Sequence, residues 1–403
     1  MLSDKLDSIP VYRPVIGPDD LAAVGQVLQG RWLGPGEQTR QFEDHVRNLA
    51  GTRHAIAVSS CTAALHLTLD ALELEPGDEV IVPSLTFCAD VQAILAAGGT
   101  PVFCEVRPDT LTLDVADALA RITPRTRAVL PVHYAGQICE MDRLHLATRD
   151  KGIALIADAA HAFGSSQNGR PVGQLADATC FSFGPLKNIT CGDGGAITTN
   201  DDALAERVIR RRQLGQASDT WTRLTQQRTW KSAVVDHGFR YHLNNLGAAL
   251  GLSQLSKLET FRKCRLSLAS EYDRVFAMLS NIRPLTRCDL GAFPHLYVVR
   301  VLDGRRDELV EFLKQRRIET TVQYFPNHLQ PAFATFAQPL PITEQLAEQI
   351  VSLPFFVEMT AAEQQRVIDA VDEFCRTAAI DEAEASTRPF FAAFAACEVS
   401  HAA

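Results

Sequence analysis

The sequence predicts an α/β fold: a three-layer arrangement on a mostly parallel sheet, followed by a smaller C-terminal α+β domain. Three observations carry this. Between about residue 52 and residue 200, short β-branched runs alternate with helix-patterned segments, the rhythm of strands joined by crossover helices. The runs are almost continuously apolar, as in Ile153-Ala-Leu-Ile-Ala157, which suits strands covered on both faces. Beyond a polar stretch at 216–236 the pattern changes to a looser mixture of helices and strands.

Taken in order, the strand at Ala55–Ser59 precedes a helix through Leu72, and Asp78–Val82 precedes a helix over Phe87–Ala97. Val102-Phe103 leads to a helix at Val115–Arg121, and Ala128–Val132 leads to one at Met141–Asp150. The strand at Ile153–Ala157 ends in the acidic Asp158. Ala178–Phe183 and Ala196–Thr199 are expected as further strands with no helix between them, and a long helix is expected at Asp201–Gln213. Residues 216–236 hold Trp221 and Trp230 and are expected as an extended loop. Leu246–Glu259 is a strong helix pattern, and a further helix is expected near 265–280. The strand His295–Leu302, the helix Arg306–Arg316 and the strand Thr320–Tyr324 follow. The expected units are a large domain over 1–255, its N-terminal segment against the small domain, a small domain over 256–376, and an Ala-rich tail over 377–403.

Composition narrows the function. Hydrophobic residues make up 46% and charged residues 22% of the 403, an ordinary globular balance with enough apolar content for a sizeable core. A net charge of −9 argues against a broad basic face for nucleic acid, while leaving room for a local basic pocket. The ten cysteines never form a Cys-x-x-Cys pair, so no zinc site or dithiol motif is expected, and buried free thiols in a reducing compartment are. The stretch MLSDKLDSIPVYRP lacks an apolar core and a small-residue cleavage site; a signal peptide is not expected and a cytoplasmic setting is. No uncharged apolar stretch reaches membrane-spanning length.

In a parallel α/β sheet, ligands gather where strands end and helices begin. Three such places stand out. Ser60-Cys61-Thr62 runs from a strand directly into a helix, putting free backbone N–H groups and the positive end of the helix dipole toward an anion. Plain N-capping explains such residues equally well. Asp158 follows four apolar residues and precedes His161 by three positions; a carboxylate there needs a partner or a task, though an isolated Asp is as often a helix cap. Lys187 sits in Phe181-Ser-Phe-Gly-Pro-Leu-Lys187 ahead of Cys191-Gly-Asp-Gly-Gly195, where Asp177 is the one other charge between Arg170 and Asp193. An apolar pocket lowers a lysine's pKa and makes it a nucleophile toward carbonyls, where a lone lysine is more often solvated. Together, an anion site, a strand-end acid and a buried lysine match the needs of pyridoxal phosphate: a seat for the phosphate, a partner for the ring nitrogen and an amine for the aldehyde. No Gly-x-Gly-x-x-Gly follows the first strand, which sets a nicotinamide dehydrogenase aside.

With those residues in view, the chain resembles the DegT/StrS family of sugar aminotransferases, which adopt the aspartate-aminotransferase (fold type I) architecture. The resemblance runs from about Arg31 to Phe374 and rests on Gly30–Gly36, Ser60–Leu65, Pro131–Gly136, Ala157–Ala162, Phe181–Lys187 with Gly192–Gly195, and Ala248–Gly251. The Lys187–Cys191 and Pro131–Gly136 stretches look most like members that aminate UDP-4-keto pentoses. The resemblance implies that Lys187 holds pyridoxal 5'-phosphate as a Schiff base, that Asp158 binds the ring nitrogen and His161 the ring hydroxyl, and that Phe87 stacks on the ring. Ser60, Cys61, Thr62 and Ser182 would hold the phosphate. A homodimer with shared active sites is implied, as are an amino-acid donor, L-glutamate, and a keto-sugar acceptor.

Two stretches depart from the family pattern. Gly238-Phe-Arg240-Tyr-His242 stands where many members have Gly-x-Asn-Tyr-Arg, with the asparagine reaching a neighbour's cofactor phosphate; Arg240 is the substitute contact. Gln323-Tyr324 stands where a His-Tyr pair is common; Trp32, Tyr324 and His328 are the candidate substrate contacts. Family members that dehydrate sugars carry histidine in place of the lysine, so Lys187 points to transamination. The alternatives are amination of a keto-inositol, which changes only the acceptor pocket, and a cofactor-binding regulatory protein without turnover.

Overall fold

A computed structural model describes residues 8–218, 220–223, 225, 231–287 and 291–376. The expected tail over 377–403 and Trp230 lie outside the described residues.

Two helices that the sequence pattern did not announce come first, α1 (Pro18–Gly30) and α2 (Glu37–Ala50). The alternating region follows: β1 (His54–Val58), α3 (Cys61–Asp70), β2 (Glu79–Pro83), α4 (Cys88–Ala96), β3 (Thr100–Cys104), α5 (Val115–Ala120), β4 (Thr126–Val129), α6 (Met141–Thr148) and β5 (Ala154–Asp158). A small hairpin, β6 (Ser166–Gln167) and β7 (Arg170–Pro171), leads to β8 (Ala178–Ser182) and β9 (Gly195–Thr199), then α7 (Asp202–Arg211) and the single turn α8 (Thr220–Thr222). The chain continues with α9 (Asn245–Leu255), α10 (Leu258–Phe276), β10 (Ile282–Pro284), β11 (Tyr297–Val301), α11 (Arg306–Gln315), α12 (Pro341–Gln349) and β12 (Ile350–Leu353), and ends in a helix over 361–376.

Seven strands form the large sheet in the order β1-β9-β8-β5-β4-β2-β3. The adjacent pairs from β8 to β3 are parallel, while β9 runs antiparallel to both its neighbours, β1 and β8. The two-residue period of a strand divides its side chains between two cores. Ile81, Val129, Leu155 and Phe181 meet Phe42, Val46, Leu144 and Ala248 from α2, α6 and α9. Val80, Val82, Ile156 and Ile197 meet Leu65, Leu67, Val91, Ile94 and Val208 from α3, α4 and α7. Those are the three layers, and they explain why the strands are apolar on both faces.

A second, antiparallel sheet, β10-β11-β12, packs Val299, Val301 and Val351 against Leu268, Tyr272 and Phe276 of α10 and Val367 and Val371 of the last helix. Ile9 joins this core and pairs with Ile318. Two expectations change here. The helix expected over Leu246–Glu259 breaks after Leu255, and its successor α10 runs from Leu258 to Phe276. The break is tied to α1: Lys257 Nζ meets the buried Asp20 at 2.7 Å and Gln254 Nε2 donates to Asp20 Oδ1 at 3.1 Å. The strand expected at Thr320–Tyr324 pairs only through Thr321 and Ser352. Past that bridge the segment serves side-chain contacts instead: Gln323 Oε1 accepts from the Tyr12 and Ser352 hydroxyls, both at 2.7 Å, and the Tyr134 hydroxyl donates to Gln323 O.

Candidate active site

The C-terminal ends of β1, β5 and β8 open on a cavity of about 370 Å³. Ser60, Cys61, Thr62, Phe87, Asp158, His161, Ser182, Lys187 and Tyr324 all line it, so the structure gathers in one place residues that lie up to two hundred and sixty-four positions apart, Ser60 to Tyr324.

The anion seat is local structure. Ser60 caps α3, its Oγ accepting from Ala63 N at 3.1 Å, which leaves the N–H groups of Cys61 and Thr62 at the helix end directed outward. Gly195 permits this close fit of helix to sheet: a Cβ there would lie 2.5 Å from Ser60 O. Lys187 closes a turn after β8, with its N–H donating to Gly184 O at 3.2 Å. Burial pushes its amine below the ordinary lysine range, with the charge of Asp158 the largest opposing influence.

Asp158 ends β5 and its backbone is held on both sides, N to Pro131 O and O from His133 N, each at 2.9 Å. Its Oδ1 accepts from Ala160 N at 2.7 Å and from the Cys61 thiol at 3.7 Å. Burial raises its carboxyl above the usual range; the Ala160 N–H and the Lys187 charge oppose this. Beside it lies a residue the sequence reading passed over, Asp90, fully buried in the first turn of α4 and accepting from the Thr86 hydroxyl. The signal was present: a lone acid in the otherwise uncharged stretch Phe87–Ala97.

His161 is held neutral, its pKa far below the ordinary histidine value through burial and then the Lys187 charge. The N–H of Ala135 reaches its Nδ1 at 3.3 Å, so Nδ1 accepts and Nε2 carries the proton. Nε2 stands 3.2 Å from the Tyr324 hydroxyl and donates to it, which frees that hydroxyl's own proton to point into the cavity. His295, whose ring centre is 4.5 Å from that of His161, backs the pair. Phe87 is 54% exposed despite its apolar ring, because it faces the cavity rather than a core.

Three sequence candidates lie elsewhere in the single chain. Trp32 and Arg240 line a second cavity of about 350 Å³ with Trp221 and His242; Trp32 meets Trp221 edge-on at 5.0 Å. His328 is 3% exposed, with Nδ1 2.7 Å from Ser84 Oγ and Nε2 3.1 Å from Glu344 Oε1. Both its nitrogens are occupied, so it is a pin between β2 and α12 rather than a wall of the Lys187 cavity.

Residues 14–372 match the DegT/DnrJ/EryC1/StrS aminotransferase family. The chain belongs to this family. Among solved structures, it is 37% identical to DesV of S. venezuelae, with a TM-score of 0.82, covering 88% of this chain and 94% of that one. The sugar aminotransferase CalS13 of Micromonospora echinospora is 30% identical at a TM-score of 0.82, covering 91% and 99%. Spr1654 of Streptococcus pneumoniae, in its PLP form, is 28% identical at a TM-score of 0.84, covering 90% and 97%. The protein is therefore a PLP-dependent sugar aminotransferase of the fold the sequence predicts. Among the described residues no helix is long and apolar enough to cross a membrane, and no cluster of His, Cys, Asp and Glu could hold a metal.

Proposed function

We propose that this sugar aminotransferase moves an amino group from L-glutamate to a nucleotide-linked 4-keto or 3-keto hexose or pentose, a step of amino-sugar biosynthesis. The observation that carries this reading is the single cavity that joins the α3 N-terminus, Asp158 and Lys187. Its donor set fits pyridoxal phosphate. The Cys61 and Thr62 N–H groups, with the Thr62 and Ser182 hydroxyls, offer donors for a phosphate. Asp158 would offer a carboxylate to the ring nitrogen, His161, with Tyr324 hydrogen-bonded to it, would hold the ring hydroxyl, and Phe87 would offer an apolar face to the ring. When bound, the cofactor supplies an electron sink for the carbanion formed at the donor's α-carbon.

The chain's residues do the rest. Lys187, whose amine burial holds below the ordinary lysine range, would hold the cofactor's aldehyde and, when free, would take the proton from the donor's α-carbon on Nζ. The same Nζ returns a proton in the half-reaction with the sugar. Asp158 holds a proton on the ring nitrogen, and the neutral His161 holds Tyr324. We assign the Trp32, Trp221 and Arg240 cavity to the proposed homodimer, in which Arg240 reaches the partner's cofactor phosphate as a bidentate donor. The proposed working units are the large domain over 1–255 and the small domain over 256–376, which supplies Tyr324.

The test is a coupled assay of 2-oxoglutarate formation from L-glutamate with a panel of acceptors. Turnover with nucleotide-linked keto sugars and none with keto-inositols supports the proposal. Turnover with keto-inositols alone would move the acceptor to a cyclitol while keeping the chemistry.

A further inference from the structure

Asp90 occupies a position that ordinary electrostatics forbids to a second carboxylate. It is 0% exposed in the first turn of α4, it is hydrogen-bonded to Thr86, which lines the same cavity as Asp158, and the charge of Asp158 is the strongest acting on it. Its Oδ2 accepts from the Thr86 hydroxyl, while its Oδ1 is buried with no donor supplied to it. An ionised oxygen left so would bear the full penalty of burial without a partner. Two carboxyls side by side away from water share a proton instead. The partners decide which one keeps it. Asp158 has the Ala160 N–H, the Cys61 thiol and the nearby Lys187 charge to support a negative charge; Asp90 has one hydroxyl.

We propose that Asp90 is a neutral carboxylic acid whose Oδ1 proton is donated to Asp158, so that Asp158 is presented to the cavity as an oriented carboxylate. The proposal rests on the reading of Asp158 as the ring-nitrogen partner, and it makes Asp90 a positioning residue. Burial, and then the negative charge of Asp158, hold the Asp90 carboxyl well above the usual carboxylate range, in the sense the geometry requires. The groups facing the pair are Cys61 from α3, Cys180 from β8, Lys187 and Tyr324; the lysine is the one cation among them. The bond to Asp158 also draws down the basicity of that carboxylate, so that it stays ionised in a site dry enough to favour the acid.

Asparagine is the informative replacement. Its carbonyl can accept from Thr86 and its amide can donate to Asp158, so Asp90→Asn keeps both contacts and removes only the titrating proton. Leucine keeps the volume and removes both. The first readout needs no cofactor: an infrared difference spectrum of cofactor-free wild type against Asp90→Asn near neutral pH. A protonated-carboxyl band in wild type that vanishes in Asp90→Asn is expected; no such difference overturns the proposal even if the protein proves an active aminotransferase. The sign of the stability effect follows. An acid whose pKa rises on folding contributes stability that is complete below the ordinary carboxylate range and is lost as pH rises toward the folded value. Cofactor-free Asp90→Asn escapes that loss, so its melting temperature should gain on wild type as pH rises, and an unchanging difference would count against the idea. The second readout is PLP affinity by absorption titration: Asp90→Leu should bind about tenfold more weakly, the weight of one hydrogen bond to a charged group, while Asp90→Asn binds like wild type. A purely space-filling role predicts the reverse, with leucine tolerated.

Discussion

The cavity around Lys187 and the one around Trp32 are nearly equal in size, about 370 and 350 Å³, and differ in how their polar groups are partnered. Around Lys187 the acid and the histidine are both held by partners: Asp158 accepts from the Ala160 N–H and the Cys61 thiol, and His161 meets Ala135 and Tyr324. Around Trp32 and Trp221 the walls are aromatic and the cation, Arg240, is exposed and without an ion pair among the described residues. In the proposed homodimer Arg240 of the second cavity serves the phosphate end of the partner's Lys187 cavity, so that one chain supplies the lysine and ring contacts and the other the arginine. The lesson is that lysine and ring contacts can be tested in a single chain, whereas Arg240 must be tested between chains.

The sharpest break comes from Lys187→Ala. Loss of the amine should lower turnover by at least roughly 10²–10⁴-fold, the range of positioned proton transfer alone, measured as 2-oxoglutarate formed per enzyme; a rate within a few-fold of wild type contradicts the role of the Lys187 cavity. Asp158→Asn leaves the shape and removes the charge, and kcat should fall roughly 10²–10³-fold, comparable to losing one preorganised electrostatic contact. Arg240→Ala should weaken PLP binding by about tenfold. Mixing inactive Lys187→Ala chains with Arg240→Ala chains should then restore tight-binding, active sites, because a mixed dimer contains one site with both residues intact. If Arg240 serves its own chain, no mixed dimer has such a site and nothing is restored. The smallest effect is expected at His328, which belongs to neither cavity. His328→Leu removes the ring partner of the buried Ser84 hydroxyl, which keeps the backbone N–H of residue 328, and should lower stability by about 1–3 kcal/mol, visible in thermal melting.

How much of this could be read from the sequence follows the same division. Strands buried on both faces announce themselves as apolar runs, so the seven strands of the large sheet were legible within three residues, as at Ala154–Asp158, whereas the two-residue strands β6 and β7 were not read. Lys187, Asp158 and the Ser60–Thr62 turn were legible because each stands at a strand end. The helices α1 and α2 were not read, since their capping residues are glycines, Gly17 and Gly36, without a side-chain cap. Thr320–Tyr324 has the composition of a strand, and only the tertiary contacts of Gln323 and Tyr324 divert it. Asp90 and His328 were misjudged for a shared reason: one sequence cannot say whether a polar side chain in an apolar neighbourhood faces a cavity or a buried partner.

The roles of Lys187 and its cofactor are tested most directly by the absorption spectrum of the purified protein and of Lys187→Ala, before and after L-glutamate. A band at the edge of the visible is expected in the wild type, bleaching on addition of glutamate, with no such lysine-dependent band in the variant. A colourless wild type that takes up no added pyridoxal phosphate, or a band that Lys187→Ala retains unchanged, would contradict it.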